Sequence, residues 1–330
     1  MGMEETPKTP WEEAFAGSLA ADALAMPVHW YYDREALRRD YGTLDRFLAP
    51  RNPHPDSILW RSHYEAPDAK TDILREQARY WGQRGIHYHQ FLAAGENTLN
   101  FRLAAELFAF IRERGEYDPE AWLERYIARM LEPGWHRDTY LEECHRSFFA
   151  RYAAGKPPSK CGIRDEHIGG LAGVPALVAA LAGRPLEELR ETARTHVGLT
   201  HDHDGVLRAA DVLVRLLWAI AAEGLGPRDA IRREAGDWIS GNKAESWSRL
   251  PDTEVVGKRF SPACYIAESM PASLYLVWKY NDDFAVGISA NAMVGGDNCH
   301  RGAVVGSLLG AACGVPEPLR PAAVPQSDPD

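Results

Sequence analysis

The sequence lacks three features that mark membrane and secreted proteins. It has no uninterrupted apolar run of about 18 residues, the length that a membrane-spanning helix needs. Its first residues show no basic segment followed by an apolar one, which is the pattern of a secretory signal. Its five cysteines are widely spaced and form no CxxC pair, as is typical of reduced thiols. We therefore expect a cytoplasmic protein.

Positive charge is also scarce. The 37 Lys and Arg residues are outnumbered by 47 Asp and Glu residues, which gives a formal net charge of -10 at pH 7. This balance argues against a general surface for nucleic acid or for an anionic membrane, but it leaves room for a nucleotide-like ligand in a pocket. With 45% hydrophobic and 25% charged residues over 330 positions, the composition is that of a globular protein with a sizeable core.

Alternating strand patterns, internal repeats and breaks in composition are absent too, whereas helical periodicity runs through most of the chain. We predict helices over residues 11–25, 73–81, 98–112, 122–131, 140–152, 171–182, 186–196, 205–223, 228–240, 273–279 and 284–293, followed by a closing glycine-rich helix. Residues 33–70 are expected to form an irregular excursion that caps a pocket or forms one of its walls. The prediction is a single all-α domain over residues 11–314, with flexible tails at 1–10 and 315–330.

The closing helix begins after a glycine-led polar loop, GGDNCHR at 295–301. Gly302, Gly306 and Gly310 recur every fourth residue and so share one face, which predicts that another backbone packs very closely there. A polar loop at a helix N-terminus favours an anion, because free N–H groups and the helix dipole meet there. The simpler interpretation is that Asp297 or Asn298 only caps the helix.

Three other positions carry polar groups inside helices or at their ends. Asp22 interrupts an apolar helix, so its carboxylate needs a partner if it is buried. Glu96 and Asn97 precede the predicted helix 98–112, either as functional groups or as simple caps. His167 lies beside two glycines and is either a pocket residue or a loop histidine; the sequence does not decide between them.

Two further segments contain residue types of metal sites or nucleophiles. The run His201-Asp202-His203-Asp204 has the right side chains for a metal, but alternating positions in one turn rarely converge, and Asp204 is placed to cap the next helix. Cys299 next to His300 suggests a nucleophile with its base. A direct pair is not favoured, because sequence neighbours seldom face one another.

Taken in chain order, these segments resemble the ADP-ribosylglycohydrolase (crystallin J1-related) family over about residues 13–314. The family's opening G-x-x-x-GDA-x-G-x-P-x-E is similar to GSLAADALAMPVHW, which keeps Asp22. Its Thr-Asp-Asp-Thr turn falls on residues 95–98, and its Thr-His segment on residues 199–203. Its stretch ending in Asp-Phe resembles residues 275–284, and its Gly-Gly-Asp-x-Asp-Thr loop is similar to GGDNCH.

The resemblance implies an all-α orthogonal multi-helix bundle with an active site where these loops meet. Family members typically bind two magnesium ions through the Thr-Asp-Asp turn and the Asp-x-Asp-Thr loop, and they hydrolyse the bond between a ribose anomeric carbon and its substituent. Magnesium prefers hard oxygen ligands. Here the positions of the family's ligands carry Glu96, Asn97, Asp297, Cys299 and His300, and His29 replaces a glutamate that follows the first proline.

These replacements make a standard two-magnesium site doubtful and leave three alternatives. One magnesium ion could bind to Glu96 and Asp297, or a softer metal such as zinc could bind to thiolate and imidazole. In the third alternative no metal binds, and Glu96, Asp297 and His300 act as acid, base and hydrogen-bonding groups. We favour the third narrowly, because every replacement is itself a functional side chain.

The leading hypothesis is a hydrolase that cleaves an N- or O-glycosidic bond of an ADP-ribosyl or other ribose-like small molecule. Glu96 or Asp297 activates water or stabilises an oxocarbenium-like centre, and His300 or His29 protonates the leaving group. The expected substrate-binding residues are Asp22, His29, Asn97, His167, Gly295, Gly296, Asn298 and Arg301. Two other hypotheses are a thiol-dependent enzyme with Cys299 as its nucleophile, and a catalytically silent ligand-binding or structural protein like the crystallins.

Overall fold

Helices form the framework of the protein. The computed structural model describes residues 8–320, and over that range it contains isolated β-bridges but no sheet. In chain order its α-helices are α1 (Pro10–Ala25), α2 (Arg34–Tyr41), α3 (Leu99–Arg114), α4 (Pro119–Leu131), α5 (Glu143–Ala153), α6 (Val174–Ala180), α7 (Leu186–Gly198), α8 (Asp204–Ala221), α9 (Pro227–Glu234), α10 (Gly241–Trp247), α11 (Asp252–Val255), α12 (Ile266–Lys279), α13 (Phe284–Met293) and α14 (Asn298–Cys313). The predicted all-α bundle is confirmed.

Three local predictions are wrong, each for a physical reason. The excursion 33–70 contains α2, a strongly polar helix that Asp33 caps by accepting the N–H groups of residues 35 and 36. Helix α12 begins before the predicted 273–279, because it accommodates Pro271 in its interior. The cap of α8 is His203, whose ring nitrogen accepts the N–H of Gly205, and Asp204 is already helical.

The centre of the fold is the contact between α1 and α14, the first and last of the α-helices. Both helices are buried on nearly every side, as expected for helices that are apolar all round. A Cβ atom on Gly306 would overlap the carbonyl oxygen of Gly17, and one on Gly310 would overlap that of Glu13. The glycine stripe therefore allows two helix backbones to touch, as its spacing predicts.

The ends of the described chain are held against α1. Thr9 caps α1 in a reciprocal capping box with Glu12. The N–H of Val315 donates to Glu13, and Leu319 is buried. Residues 315–320 thus pack on the bundle, although the sequence predicts a loose tail from residue 315. Residues 1–7 and 321–330 lie outside the described part, and the single domain at 11–314 stays a prediction.

No helix between residues 8 and 320 is long and apolar enough to cross a membrane. The longest, α8, presents one apolar face to the core and exposes or half-buries charged residues on the other.

Candidate functional site

The glycine-led loop holds the start of α14 against the segment that follows α1. Gly295 and Gly296 have φ values of 72° and 66°, a region that favours glycine, and a Cβ on either would overlap a neighbouring carbonyl oxygen. The N–H of Trp30 donates to the oxygen of Gly296 at 2.8 Å, and the N–H of Gly296 donates back to Tyr31 at 2.6 Å. Trp30 itself has a φ of 60°, which is strained for an aromatic residue. The loop thereby sets the direction of His29.

The carboxylate of Asp297 lies between two imidazoles. Its Oδ1 is 2.9 Å from Nε2 of His29 and 2.7 Å from Nδ1 of His300. All three side chains are buried, and Oδ2 of Asp297 has no hydrogen-bond partner among the described residues. Burial alone would raise the pKa of Asp297, but the two histidines hold it well below its usual range. Asp297 occupies the N-cap position of α14 without capping it with its side chain.

A third histidine and a second carboxylate extend this contact. Nδ1 of His29 is 2.8 Å from Nε2 of His89, whose Nδ1 is 2.5 Å from Asp138. If both rings were neutral, Nδ1–H of His89 would donate to Asp138 and Nδ1–H of His29 would donate to His89. Nε2 of His29 would then present a lone pair, and not a proton, to Asp297. The two imidazoles between two carboxylates therefore share one additional proton. Burial lowers the pKa of His29 to about 3 and so opposes a positive charge on that ring.

On its other side, His300 contacts an amide and a second acid. The amide nitrogen of Asn100 lies 2.9 Å from Nε2 of His300 and donates to Glu142 at 2.6 Å, while the amide oxygen accepts from His145. Oε1 of Glu142 is 3.6 Å from Nδ1 of His300. Burial and the amide donor favour the neutral ring, but Asp297 and Glu142 outweigh them and raise the pKa of His300 to about 9.

Partly exposed side chains border the cluster, and we call them the accessible edge: Trp30, Tyr140, Glu142, His167 and Tyr265. The side chain of Glu142 is 11% exposed, and burial raises its pKa. His167 pairs with Asp165 at 2.7 Å, and this contact outweighs burial and raises the pKa of His167 to about 12. Trp30 stacks on His29 with ring centres 3.8 Å apart, and the ring of Tyr265 lies 5.3 Å from that of His167.

The sequence-predicted residues divide into two groups. The structure brings together His29, Asp297 and His300. Asp22 forms a neighbouring buried network, in which it accepts from the amide of Asn97 at 2.8 Å and from the backbone and hydroxyl of Thr98. This network ties the N-terminus of α3 to α1, and burial raises the pKa of Asp22.

Glu96, Cys299, Arg301 and Asn298 do not join the cluster. The Glu96 carboxylate accepts from the N–H of Ala93 and pairs with Arg137. The Cys299 thiol is 0% exposed and contacts the backbone oxygen of Asp22, and burial raises its pKa well above its usual value. These surroundings argue against both Glu96 and Cys299 as catalytic groups.

The side chains of Arg301 and Asn298 form hydrogen bonds to backbone oxygens. The guanidinium of Arg301 is fully buried and donates to the backbone oxygens of Pro262 and Gly295. The amide of Asn298 donates to Val28 and Ala292. Both side chains fix the loop that carries Asp297. Their expected role in substrate binding stays a prediction.

The sequence interpretation missed His89, Asp138, Asn100 and Glu142. Asn100 and Glu142 lie near the starts of predicted helices, whereas His89 and Asp138 lie in segments with no recognisable motif, and only the fold brings the four side chains to His29 and His300. One available signal was the pair His87 and His89, in a stretch of chain without helical periodicity.

The residues present do not fit the two magnesium ions that the family resemblance implies. At the equivalent positions Glu96 is paired with Arg137, Asn97 donates to Asp22, and Cys299 faces α1. Asp297 is already bonded to two imidazoles. Magnesium needs about six hard oxygen donors in near-octahedral geometry, whereas this set offers two carboxylates, both already paired, and one amide beside a thiol and an imidazole.

The structure is an all-α bundle in which a buried cluster of carboxylates and histidines lies between the segment after α1 and the start of α14. The sequence model of the ADP-ribosylglycohydrolase family matches residues 8–325, so the chain belongs to this family of glycosyl hydrolases.

Two similar proteins support the same fold. Crystallin J1A of Tripedalia cystophora is 23% identical over 310 residues, which cover 91% of this chain and 87% of the crystallin. A solved structure described as an ADP-ribosylglycohydrolase-related protein complex superposes with a TM-score of 0.63 at 21% identity, over 94% of this chain and 90% of that one.

Proposed function

We propose that the protein hydrolyses an N- or O-glycosidic bond of an ADP-ribosyl or related ribose-containing small molecule without using the family's magnesium pair. The observation that carries the proposal is that two acids, Glu142 and Asp297, both approach Nδ1 of His300, at 3.6 and 2.7 Å. Paired carboxyl groups in different surroundings are the usual equipment of glycoside hydrolysis.

The two acids differ in what they can do. Glu142 reaches solvent and burial raises its pKa, so it stays protonated closer to neutral pH and can act as an acid. Asp297 is buried and stays ionised between His29 and His300. We therefore assign the proton transfer to Glu142, and to Asp297 the positioning of His300. Glu142 replaces Glu96 in the role that the sequence suggests for a carboxylate.

The reaction follows from these roles. Glu142 donates its proton to the leaving atom while the bond from that atom to the anomeric carbon breaks. His300, cationic beside Asp297, stabilises the carboxylate that Glu142 becomes. Water then forms the new bond to the anomeric carbon, and its released proton returns to Glu142. Such general acid–base catalysis typically contributes a factor of about 10² to 10⁴ in rate.

The accessible edge suits the proposed substrate class. Aromatic faces stack on nucleobases, and Trp30, Tyr140 and Tyr265 supply three rings of the accessible edge. His167 carries positive charge beside Asp165, as its raised pKa indicates, and can attract a phosphate.

Replacing Glu142 tests the assignment. In an assay with ribosylated small molecules, E142Q should lose about 10²- to 10⁴-fold in kcat, since it removes the transferable proton but keeps the size of the side chain. The neighbouring Glu143 is exposed, so E143Q is a matched control and should keep wild-type turnover. Normal turnover by E142Q contradicts the proposal.

The relative named crystallin favours one other candidate, a catalytically silent ligand-binding protein. Calorimetric titration with ADP-ribose separates the two. Tight binding without turnover of any ribosylated substrate by the wild-type protein supports the silent alternative, and turnover rejects it.

A further inference from the structure

A second group of buried ligand-type side chains lies behind the accessible edge. Cys144 comes from the first turn of α5, Asp165 from the loop before α6, and His201 from the segment between α7 and α8. Their Sγ, carboxylate and ring nitrogen atoms all lie within 4.8 Å of one another. The three residues are 1%, 5% and 3% exposed. Such a mixture of thiol, carboxyl and imidazole is unusual in a protein interior unless its members serve one another.

Backbone contacts fix two of these side chains relative to each other. Ile163 and His201 form an isolated parallel β-bridge, in which the N–H of Asp202 donates to Ile163 at 2.8 Å. This bridge holds the loop that carries Asp165 beside His201. Gly170 packs against the ring of His201 so closely that an added Cβ would lie 2.8 Å from it. The ring of His201 is therefore positioned by the bridge to Ile163 and by the absence of a side chain at Gly170.

His201 has a free ring nitrogen that points toward the group. Its Nδ1 is 2.9 Å from the hydroxyl of Thr200, whereas Nε2 has no hydrogen-bond partner among residues 8–320. The nearest acidic atom, Oδ2 of Asp165, is 3.9 Å away, beyond a hydrogen bond. Oδ1 of Asp165 already accepts from the backbone and ring of His167. A buried polar atom without a hydrogen bond is unfavourable, because it has given up its bonds to water, so Nε2 needs a partner that the neighbouring side chains do not supply.

We infer that Cys144, Asp165 and His201 form a buried site for one zinc ion. Thiolate and imidazole select zinc over magnesium, and a separation of 3.9 Å between His201 and Asp165 leaves room for an ion but not for a direct bond. When the zinc–sulfur bond forms, the thiol proton of Cys144 leaves to solvent. With three protein ligands, the fourth position of a tetrahedral zinc ion is left for water.

The cluster at Asp297 is less suited to zinc, although its ligand atoms are equally close together. There, Oδ1 of Asp297 is hydrogen-bonded directly to both imidazoles, so no gap separates the ligands. The inference for Cys144, Asp165 and His201 is independent of the proposed hydrolase activity, because it concerns metal content alone.

Elemental analysis of the full-length protein tests the site. Protein purified without chelator and dialysed should hold about one zinc per chain, and C144S and H201Q should each retain less than about a tenth of it. C161S removes a buried thiol elsewhere and should keep the zinc. H29Q should also keep it. Loss of zinc in H29Q but not in C144S would place the metal at Asp297 and overturn the inference.

Cobalt substitution of the wild-type protein covers the case in which the variants fail to fold. Protein stripped of metal and loaded with Co²⁺ should show a thiolate-to-cobalt charge-transfer band in the near ultraviolet, with an intensity that saturates at about one ion per chain. Zinc should then protect Cys144 from alkylation during partial unfolding. A wild-type protein without stoichiometric zinc and without this band refutes the site.

Discussion

At the scale of single residues, Asp297 lies at the N-terminus of a helix but uses its side chain for the site and not as a cap. Its position at the start of α14 is that of a cap, yet its carboxylate binds His29 and His300. Burial by itself opposes the ionisation of Asp297, but it also strengthens the contacts with the two imidazoles, and these contacts keep the carboxylate ionised. An unpaired charge is costly in a buried position. Replacement of His29 or His300 would therefore leave the Asp297 carboxylate with fewer partners and destabilise the folded protein.

Cys299 illustrates the opposite outcome, in which a reactive residue type is placed where it cannot react. Its thiol is 0% exposed, and burial raises its pKa well above its usual value. We predict that iodoacetamide modifies the exposed Cys313 in the native protein and leaves Cys299 unmodified, as peptide mass spectrometry would detect.

Two controls make this experiment decisive. In urea all five cysteines should react, which shows that each peptide is detectable. C299A should keep the turnover of the wild type. Modification of native Cys299 as fast as Cys313, with parallel loss of turnover, would restore the thiol mechanism.

At the scale of elements, the contact of α1 with α14 limits which side chains fit. Gly306 faces the backbone of Gly17, so a methyl group there forces the two helices apart. We predict that G306A lowers the free energy of unfolding by about 3 kcal/mol or more, although alanine by itself stabilises a helix by up to ~1 kcal/mol relative to glycine. Urea denaturation followed by circular dichroism measures the change.

Gly236 provides the matched control for that substitution. It is exposed, and an added Cβ meets nothing within 4 Å. G236A should therefore change the free energy of unfolding by no more than about 0.5 kcal/mol. Equal stability of G306A and G236A would show that the helices separate without cost.

Elements with a strong apolar period could be predicted from the sequence, and those fixed by other forces could not. Helix α13 has the predicted bounds of 284–293, and the glycine stripe of α14 correctly indicates a close backbone. Helix α2 is dominated by charged residues, so its formation depends on the Asp33 cap and on tertiary contacts rather than on a period. The sequence predicts that helix α12 begins only after Pro271, because proline usually ends or interrupts a helix.

At the scale of the whole molecule, the site is assembled from segments far apart in sequence. The loop at 295–300 could be assigned from its motif, and its neighbour His29 from the family resemblance. His89, Asp138 and Glu142 could not, because nothing in the surrounding sequence marks them as site residues and only the packing of the bundle joins them to His29 and His300. The packing that assembles the site also buries several histidines, and their burial makes the stability of the protein depend on pH.

Buried neutral histidines should make the folded protein sensitive to acid. Burial lowers the pKa of His29 to about 3 and of His54 to about 4, and it lowers that of His87 well below the usual value. An unfolded histidine titrates near 6.5, so below that pH the unfolded chain binds protons that the native state refuses. At pH 5 each such histidine costs the native state about 2 kcal/mol.

His300 acts in the other direction. Its pKa is raised to about 9, so its stabilising contribution is complete below about pH 6.5 and disappears as the pH rises through 9. Stability should therefore be greatest near neutral pH. We predict that the free energy of unfolding, measured with urea, falls by several kcal/mol between about pH 6.5 and pH 5.

His54 and His63 form the matched pair for this prediction. His54 is fully buried and donates from Nε2 to the backbone oxygen of His29, whereas His63 lies exposed at the surface. H54N should be less stable at pH 7 because it loses that contact, but its stability should fall less steeply in acid by about 2 kcal/mol at pH 5. H63N should follow the wild-type curve. If H54N and the wild type fall in parallel between pH 6.5 and pH 5, His54 is not held neutral in the folded protein and the acid sensitivity has another source.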